Sequence, residues 1–600
     1  MFLFTLLMNV VPAVQADTLN AVTVIADRGV VVSKSETVKL KSTISITDAL
    51  EAVPGITLGD YGGFAGLKTV SLRGLGSAHT AIYIDGVRLG NISSGQADLG
   101  NFDFGGFAGA VIDYAQNSLS FVTAKPVFDG SPFAGNLSLR GGSFGTWQGQ
   151  GRFDFRLSDK VCASASVNGL SSKGNFPYGD EGKLRANNDI RKAGSTVDFW
   201  GKLRGGQWHT KAFFNSSDRG TPGSTDWPST DRQKDKNAFL QGVLQEQVTE
   251  RYSILASAKG SYDDLKYLSE WGDSDYVQKE AQLNLTQNFA ATSWLDASLT
   301  LDWQWDGLQA SIYGSPCDMS RSTALATASA SFHPKGFDAV IALELANYSD
   351  KGAESRTVLS PSVQLRKGVI KGLDIVAFAR RAYRMPTFNE LYYPGFGNSS
   401  LKAEDALLSD IGAEWRGVLC PHLSFSTKLD FFWNSLKNKI VSVPTEADPS
   451  IWLPYNIGLA RMLGGELQAG IQYSGDGVRS SLNARYSIND AVDRTPDSYS
   501  FGEQLPFVAR NNFSLSADAS WKGWEGVLSY ALHTGRNGSS GPMSDYNTLN
   551  LSVGKDFRIK DRMSLSLKLH ARNLADCRYE LAAGYPMPGR SLCGEIGFRF

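Results

Sequence analysis

Strict two-residue alternation recurs through the long second part of the chain. Apolar residues occupy every other position at Ala324, Ala326, Ala328, Ala330 and Phe332, and again at Phe513, Leu515, Ala517, Ala519 and Trp521. A third run is Met563, Leu565, Leu567, Leu569 and Ala571, with Ser564, Ser566, Lys568, His570 and Arg572 between them. A period of two gives a strand with two chemically different faces. In a soluble sandwich the apolar face would form the core. Here polar residues fill most of the opposite face and aromatics gather at segment ends, as in strands standing between lipid and a wet lumen. Such strands must close on themselves, because an unpaired backbone group in lipid costs several kcal/mol.

The connections between strands alternate in length. Short polar turns fall at 158–160, 205–207, 248–251, 291–294, 333–336, 368–372, 417–422, 474–477, 522–525 and 559–562, and mostly longer stretches such as 221–236 and 383–403 lie between them. Ten short turns and eleven longer loops give 22 strands over residues 131–600, with short turns facing the periplasm and long loops outside. The last strand, Gly-Glu-Ile-Gly-Phe-Arg-Phe, sets Ile596, Phe598 and Phe600 on one face, a terminal pattern suited to barrel insertion. Charged residues are 20%, aromatics 11%, and net charge is −1. This balance offers nothing to nucleic acid.

Residues 1–16 (MFLFTLLMNVVPAVQA) are apolar and end on small residues, the pattern of a signal peptide. Residues 17–43 are extended and then linker-like. A compact mixed α/β unit spans 44–130. Ser45 to Asp48 has capping-box spacing, a short helix follows, and Pro54-Gly55 stops it. Residues 56–66 form a Gly-rich loop, 68–73 and 80–85 are strands, Asp85-Gly86 is a turn, 91–100 is a second polar loop, and 105–115 and 120–124 complete the unit. A barrel of 22 strands leaves a lumen wide enough to need a plug, and this unit suits one.

The exported start, the runs LEAVPGI, SLRGLG and AIYIDGVR, and the strand-rich remainder together resemble the TonB-dependent outer-membrane receptors. The stretches YRMPTFNELYYPGFGNSSL (383–401), NLADCRYELAAGYPMPGR (573–590) and GQADLG (95–100) resemble the cobalamin receptors of that family. The stretch 109–126 departs from the usual family ending of the plug. The resemblance implies active uptake of cobalamin or a related corrinoid, with a ferric siderophore or haem as the alternative cargo. It also implies TonB and its inner-membrane complex as partners, a monomeric barrel in outer-membrane lipid, and room for a surface lipoprotein over the loops. Val22, Thr23, Val24, Ile25 and Ala26 are the expected TonB box, which would pair as an added strand.

A corrinoid is a broad, partly apolar disc with amide arms, which suits aromatics ringed by amide and hydroxyl donors. The expected contacts are Tyr61, Phe64, Asn91, Ser94 and Gln96 on the plug, with Trp227, Tyr392, Tyr393 and Trp452 on the loops. Arg73, Asp85 and Arg88 are expected to lock the plug to wall groups such as Glu414 and Glu466, since a buried unpaired charge is expensive. Asp226, Asp231, Asp263, Asp273 and Asp275, taken as neighbouring external-loop residues, offer oxygens for Ca²⁺, although no cofactor is required. Cys162, Cys317, Cys420, Cys577 and Cys593 lack metal-site spacing; Cys577 and Cys593 are placed to pair or to remain thiols. Enzymatic chemistry finds no support, for no Gly-x-Ser-x-Gly elbow stands beside a partnered His. A passive porin or adhesin would need neither the plug nor the extended N-terminal segment.

Overall fold

The structure is a computed structural model describing residues 35–39, 46–51, 53–313, 318–444, 452–538, 541–560 and 562–600. The signal-peptide and TonB-box assignments therefore lie outside the described residues. From residue 133 the chain forms a closed antiparallel barrel of 22 strands, Phe133–Gly142 first and Ser591–Arg599 last, paired with each other to close the ring. All ten short turns predicted from sequence connect consecutive strands at one end. Most of the longer connections lie at the other end, although that joining the first two strands is only 143–145. No helix among the described residues is long and apolar enough to cross a membrane; the spans are strands.

Alternation sets the two faces of each strand. Along Leu295–Ala310, Leu299, Leu301, Trp303 and Trp305 are exposed on the outer face. Ser298, Thr300, Asp302, Gln304 and Asp306 face the lumen instead. The same register puts Leu567 and Leu569 outside and buries His570 inside. The two faces thus meet solvents of opposite polarity, which pins the register of every strand.

Inside the barrel sits the plug. Its strands are β1 (Ser35–Lys39), β2 (Ile56–Asp60), β3 (Lys68–Leu72), β4 (Ala81–Ile84), β5 (Val87–Leu89), β6 (Phe107–Asp113) and β7 (Ser118–Thr123), with one helix, α1 (Ile46–Glu51). Five strands form a sheet in the order β1-β6-β7-β4-β5, and β2 and β3 form a separate hairpin. Leu50, Ile84, Ile112, Leu119 and Phe121 are almost fully buried beneath one face of the sheet. That core runs on into wall residues Phe432, Met462 and Ala491. Each large apolar side chain so buried contributes about 1.5–3 kcal/mol, so plug and wall share one core.

Two expectations are corrected. Residues 35–39 are an edge strand paired with β6, not part of a linker. The sequence SETVK is polar, but the open edge of β6 satisfies its backbone, and Glu36 and Val38 are buried. The Gly-rich loop is also shorter than expected, because Ile56–Asp60 pairs residue for residue with β3. Its turn is at Gly62 and Gly63, whose φ values of 120° and 82° disfavour a side chain.

Candidate functional site

Arg73 is one of the fully enclosed charges of the plug. Its Nε and Nη2 donate to both oxygens of Glu466 at 3.0 and 2.9 Å, and Nη1 lies 2.8 Å from Asp410. The guanidinium is sandwiched between Tyr114 and Phe432, 4.3 and 4.4 Å from the ring centres. Burial alone would lower its pKa, but the charges of Glu466 and Asp410 outweigh it and hold the group above its ordinary value.

The other expected locks behave differently. Asp85 is buried and accepts from the N–H and hydroxyl of Thr123 at 2.7 and 2.6 Å, so it closes a turn within the plug. Wall residues His209 and Lys211 approach it only to 3.8 Å. The Arg88 side chain is exposed; its carbonyl accepts from wall residue Lys259 at 2.9 Å. Glu414 pairs with wall residues Arg416 and Lys428 rather than with the plug, and Lys428 in turn donates to the Ser35 carbonyl.

Most of the tethers run the opposite way, with wall cations gripping plug oxygens. Arg219 pairs with Asp98 at 2.8 Å, Arg572 with Asp48, and Arg485 with Glu36 at 3.3 Å. Lys192 donates to the carbonyls of Gly100 and Phe102, and Arg152 to that of Ala124. Burial would raise Asp98, but Arg219 and the backbone N–H groups of Lys68 and Gly100 hold it below the usual carboxylate range. Sequence reasoning missed these wall residues. The available signal was a basic residue in the lumen-facing phase of a strand, as at Lys211 and Arg219, which alternate with lipid-facing Phe214.

At the long-loop end, two plug loops meet the external connections. The Tyr61 ring lies edge-on to Tyr585 at 5.1 Å, and Gly62 accepts from Asn188 at 3.0 Å. The Thr225 N–H donates to the Gly584 carbonyl, which brings the loop of exposed Trp227 to the same side. Phe64 is half-buried in the turn beside Tyr61. On the other side, the short helix α2 (Phe388–Tyr392) is capped by Thr387 and Glu390 in a complete capping box. The Phe388 and Asn389 N–H groups donate to the Ile92 and Ser93 carbonyls of the plug, both at 3.1 Å. Tyr392 packs on Phe388, and Tyr393 lies edge-on between Tyr313 and Phe396. Tyr276 and Tyr313 extend this aromatic group and were not anticipated. Ser94 and Gln96 lie on the adjoining plug loop, where the Asn91 oxygen is already held by Ser93 and Ser94. Trp452 begins a strand, and its side chain lies outside the described residues.

A stoppered barrel of 22 strands, tethered around the stopper's rim, matches two family descriptions. "TonB dependent receptor-like, beta-barrel" covers residues 83–574, and "TonB-dependent Receptor Plug Domain" covers 23–121. The chain belongs to the TonB-dependent receptors. It is thus an outer-membrane transport protein. The vitamin B12 transporter BtuB of Vibrio vulnificus is 24% identical over 604 residues, covering 95% of this chain and 92% of that protein. BtuB of Photobacterium profundum is 22% identical with the same coverage. Among solved structures, the copper transporter OprC aligns with a TM-score of 0.77 at 14% identity, over 94% of this chain and 98% of OprC. The FrpB iron transporter of Neisseria meningitidis aligns at 0.76 and 13%, over 95% and 100%. At such identities these structures establish the receptor's fold alone.

The five aspartates do not converge. Asp263 lies on the strand Tyr252–Leu268, not in a loop, and accepts from Asn237 at 2.8 Å. Asp231 accepts from Tyr267, Asp273 from the Ser269 N–H, and Asp275 pairs with Lys266 at 3.5 Å. Asp226 lies in the loop of Trp227. Among the described residues no three His, Cys, Asp or Glu side chains gather as a metal site. Cys162, Cys420, Cys577 and Cys593 are free thiols, so Cys577 and Cys593 do not bridge.

Proposed function

We propose that this receptor imports cobalamin or a related corrinoid, driven by TonB acting on Val22–Ala26. The observation that carries the substrate is the similarity to vitamin B12 transporters along 95% of the chain. The geometry supports it. Two groups of aromatics, one at Tyr61 and Tyr585 and the other at Tyr313, Tyr393 and Phe396, stand at the external end with the Ser94 and Gln96 loop nearby. A wide, partly apolar ligand with amide arms matches both kinds of surface.

Ligand binding must favour the TonB-accessible state by a differential free energy, or the empty receptor would be pulled as often as the loaded one. The plug connects the two ends. The loop at Ile92 and Ser93 meets the external helix, while β1 follows the N-terminal segment directly in sequence. The test is equilibrium binding of cyanocobalamin, ferric siderophores and haem to purified receptor. Submicromolar binding of cyanocobalamin alone is expected, and its absence refutes the substrate. Deleting residues 22–26 is expected to abolish uptake and leave binding intact; surviving uptake refutes the energised mechanism.

A further inference from the structure

The wall strands Asn511–Trp521 and Trp524–Thr534 are joined by Lys522 and Gly523 alone. Both residues have positive φ, 46° and 80°, the backbone that a two-residue hairpin turn demands. The neighbouring short hairpin makes the same turn with Asp476 and Gly477, at 52° and 74°. A short polar residue such as Asp or Asn suits the first position, because it tolerates the left-handed region. A lysine brings no such benefit to the turn, so the surroundings of its side chain bear on why it stands there.

The turn lies at the end of the barrel that faces the periplasm. It is flanked by Trp521 and Trp524, which pair across the hairpin and are each half exposed on the outer wall. The Lys522 ammonium stands 4.8 Å from the centre of the Trp521 ring. Lys555, on the next strand, Tyr546–Lys560, pairs with Trp524 and stands 5.1 Å from the centre of that ring. It also donates to the Lys522 carbonyl at 2.7 Å. Lys555 lies in the lipid-facing phase of its strand, with exposed Val553 two residues before it and exposed Phe557 two residues after.

Two ammonium groups are thus held on two indoles at the membrane boundary, where amphipathic aromatic rings gather. Glu525, which follows the turn, stands in the lumen-facing phase and pairs with Lys568 at 3.3 Å; among the described residues neither Lys522 nor Lys555 has a carboxylate partner. Elsewhere on the outer wall a cation is answered within the protein: Arg381, stacked over Tyr383, donates to both oxygens of Asp405 at 3.0 and 2.8 Å.

We propose that Lys522 and Lys555, steadied by Trp521 and Trp524, bind the phosphate of an anionic phospholipid in the periplasmic leaflet. An ammonium has three donors, so Lys555 keeps two beyond the one given to Lys522, and hydrogen bonds from a cation to phosphate are strong. The acyl chains lie along Leu528, Leu551, Val553 and Leu567, all exposed on the adjoining strands. A net negative head follows from the same geometry. A zwitterionic head brings its own cation, which needs a carboxylate or an aromatic face; the turn offers no carboxylate, and each indole already carries a lysine. The site is independent of which cargo the receptor carries.

The test uses delipidated receptor in neutral detergent, with phosphatidylglycerol, phosphatidylethanolamine and inorganic phosphate as probes and bound lipid counted by native mass spectrometry. Phosphatidylglycerol is expected to bind about tenfold or more tightly than phosphatidylethanolamine, and the pair Lys522→Ala, Lys555→Ala to weaken it about tenfold or more. Lys367→Ala removes another lysine in the lipid-facing phase, between exposed Leu365 and Val369 beside a short turn, and should leave binding unchanged. Equal affinity for the two lipids, an equal loss in Lys367→Ala, or full binding in the double variant overturns the site. Displacement of the lipid by inorganic phosphate at matched concentration marks a free-phosphate site and overturns the lipid. Should the double variant insert poorly, Lys555→Gln keeps most of the apolar stem and is expected to weaken phosphatidylglycerol about threefold or more; wild-type affinity there overturns the site as well.

Discussion

Replacing Arg73 by alanine removes the shared partner of two buried carboxylates. Glu466 and Asp410 have fully enclosed side chains, so neither can be rescued by water without opening the plug–wall seam. Removing one partner of a buried, hydrogen-bonded charge pair costs about 3–5 kcal/mol. At about 1.4 kcal/mol per tenfold, the open population of the surrounding segment should rise roughly a hundred- to a few-thousand-fold. The Arg73 N–H donates to the Gly55 carbonyl at 2.6 Å and β3 ends immediately before it, so amides of β2 and β3 should report the opening. Hydrogen exchange of peptides covering residues 56–74, in detergent-solubilised receptor, measures it. The triple replacement Arg73→Met, Glu466→Gln, Asp410→Asn should recover most of the protection, because no uncompensated charge remains. Exchange unchanged within about threefold in Arg73→Ala, or a triple variant worse than the single one, would refute this account of the lock.

Two further perturbations act on the same seam. Burial first, and the neighbouring Asp48 charge second, push Glu51 up to about 7 from 4.5, against Arg572 and the Thr548 hydroxyl. A carboxyl raised by folding contributes stability that is complete below its unfolded value and lost as pH rises through its folded one. The urea midpoint of the plug should therefore fall between about pH 4.5 and 7, and Glu51→Gln should flatten that slope; an equal slope in the variant rules Glu51 out. Asp113, raised to about 6 by burial against the Gln116 N–H and Arg380, contributes a drop of the same sign and remains in the variant. Gly55 has φ 70°, and a Cβ there would collide with Glu466 Oε1 and lie 3.2 Å from Arg73 Cγ. Gly55→Ala should cost about 1–3 kcal/mol from backbone strain, read as faster exchange of β2 and β3; wild-type exchange would exclude the clash.

Residue order alone determined the barrel. A two-residue period, a polar second face and alternating turn lengths leave closure as the only way to satisfy backbone groups in lipid, and every short turn follows from local composition. The helix stop at Pro54-Gly55 and the turn at Asp85-Gly86 are equally local, because proline and glycine act through their own φ angles. The edge strand β1 was not legible, since SETVK owes its extended form to the free edge of β6, seventy residues further on. Arg73 could be singled out as an enclosed charge, but its second partner, Asp410, lies on a different strand from Glu466, and only the register of both against the strand between them, Leu423–Pro444, brings the two together. The wall cations that grip the plug depend on how the plug is turned within the barrel. That rotation is fixed by packing among distant segments, for which no single stretch of sequence carries a signal.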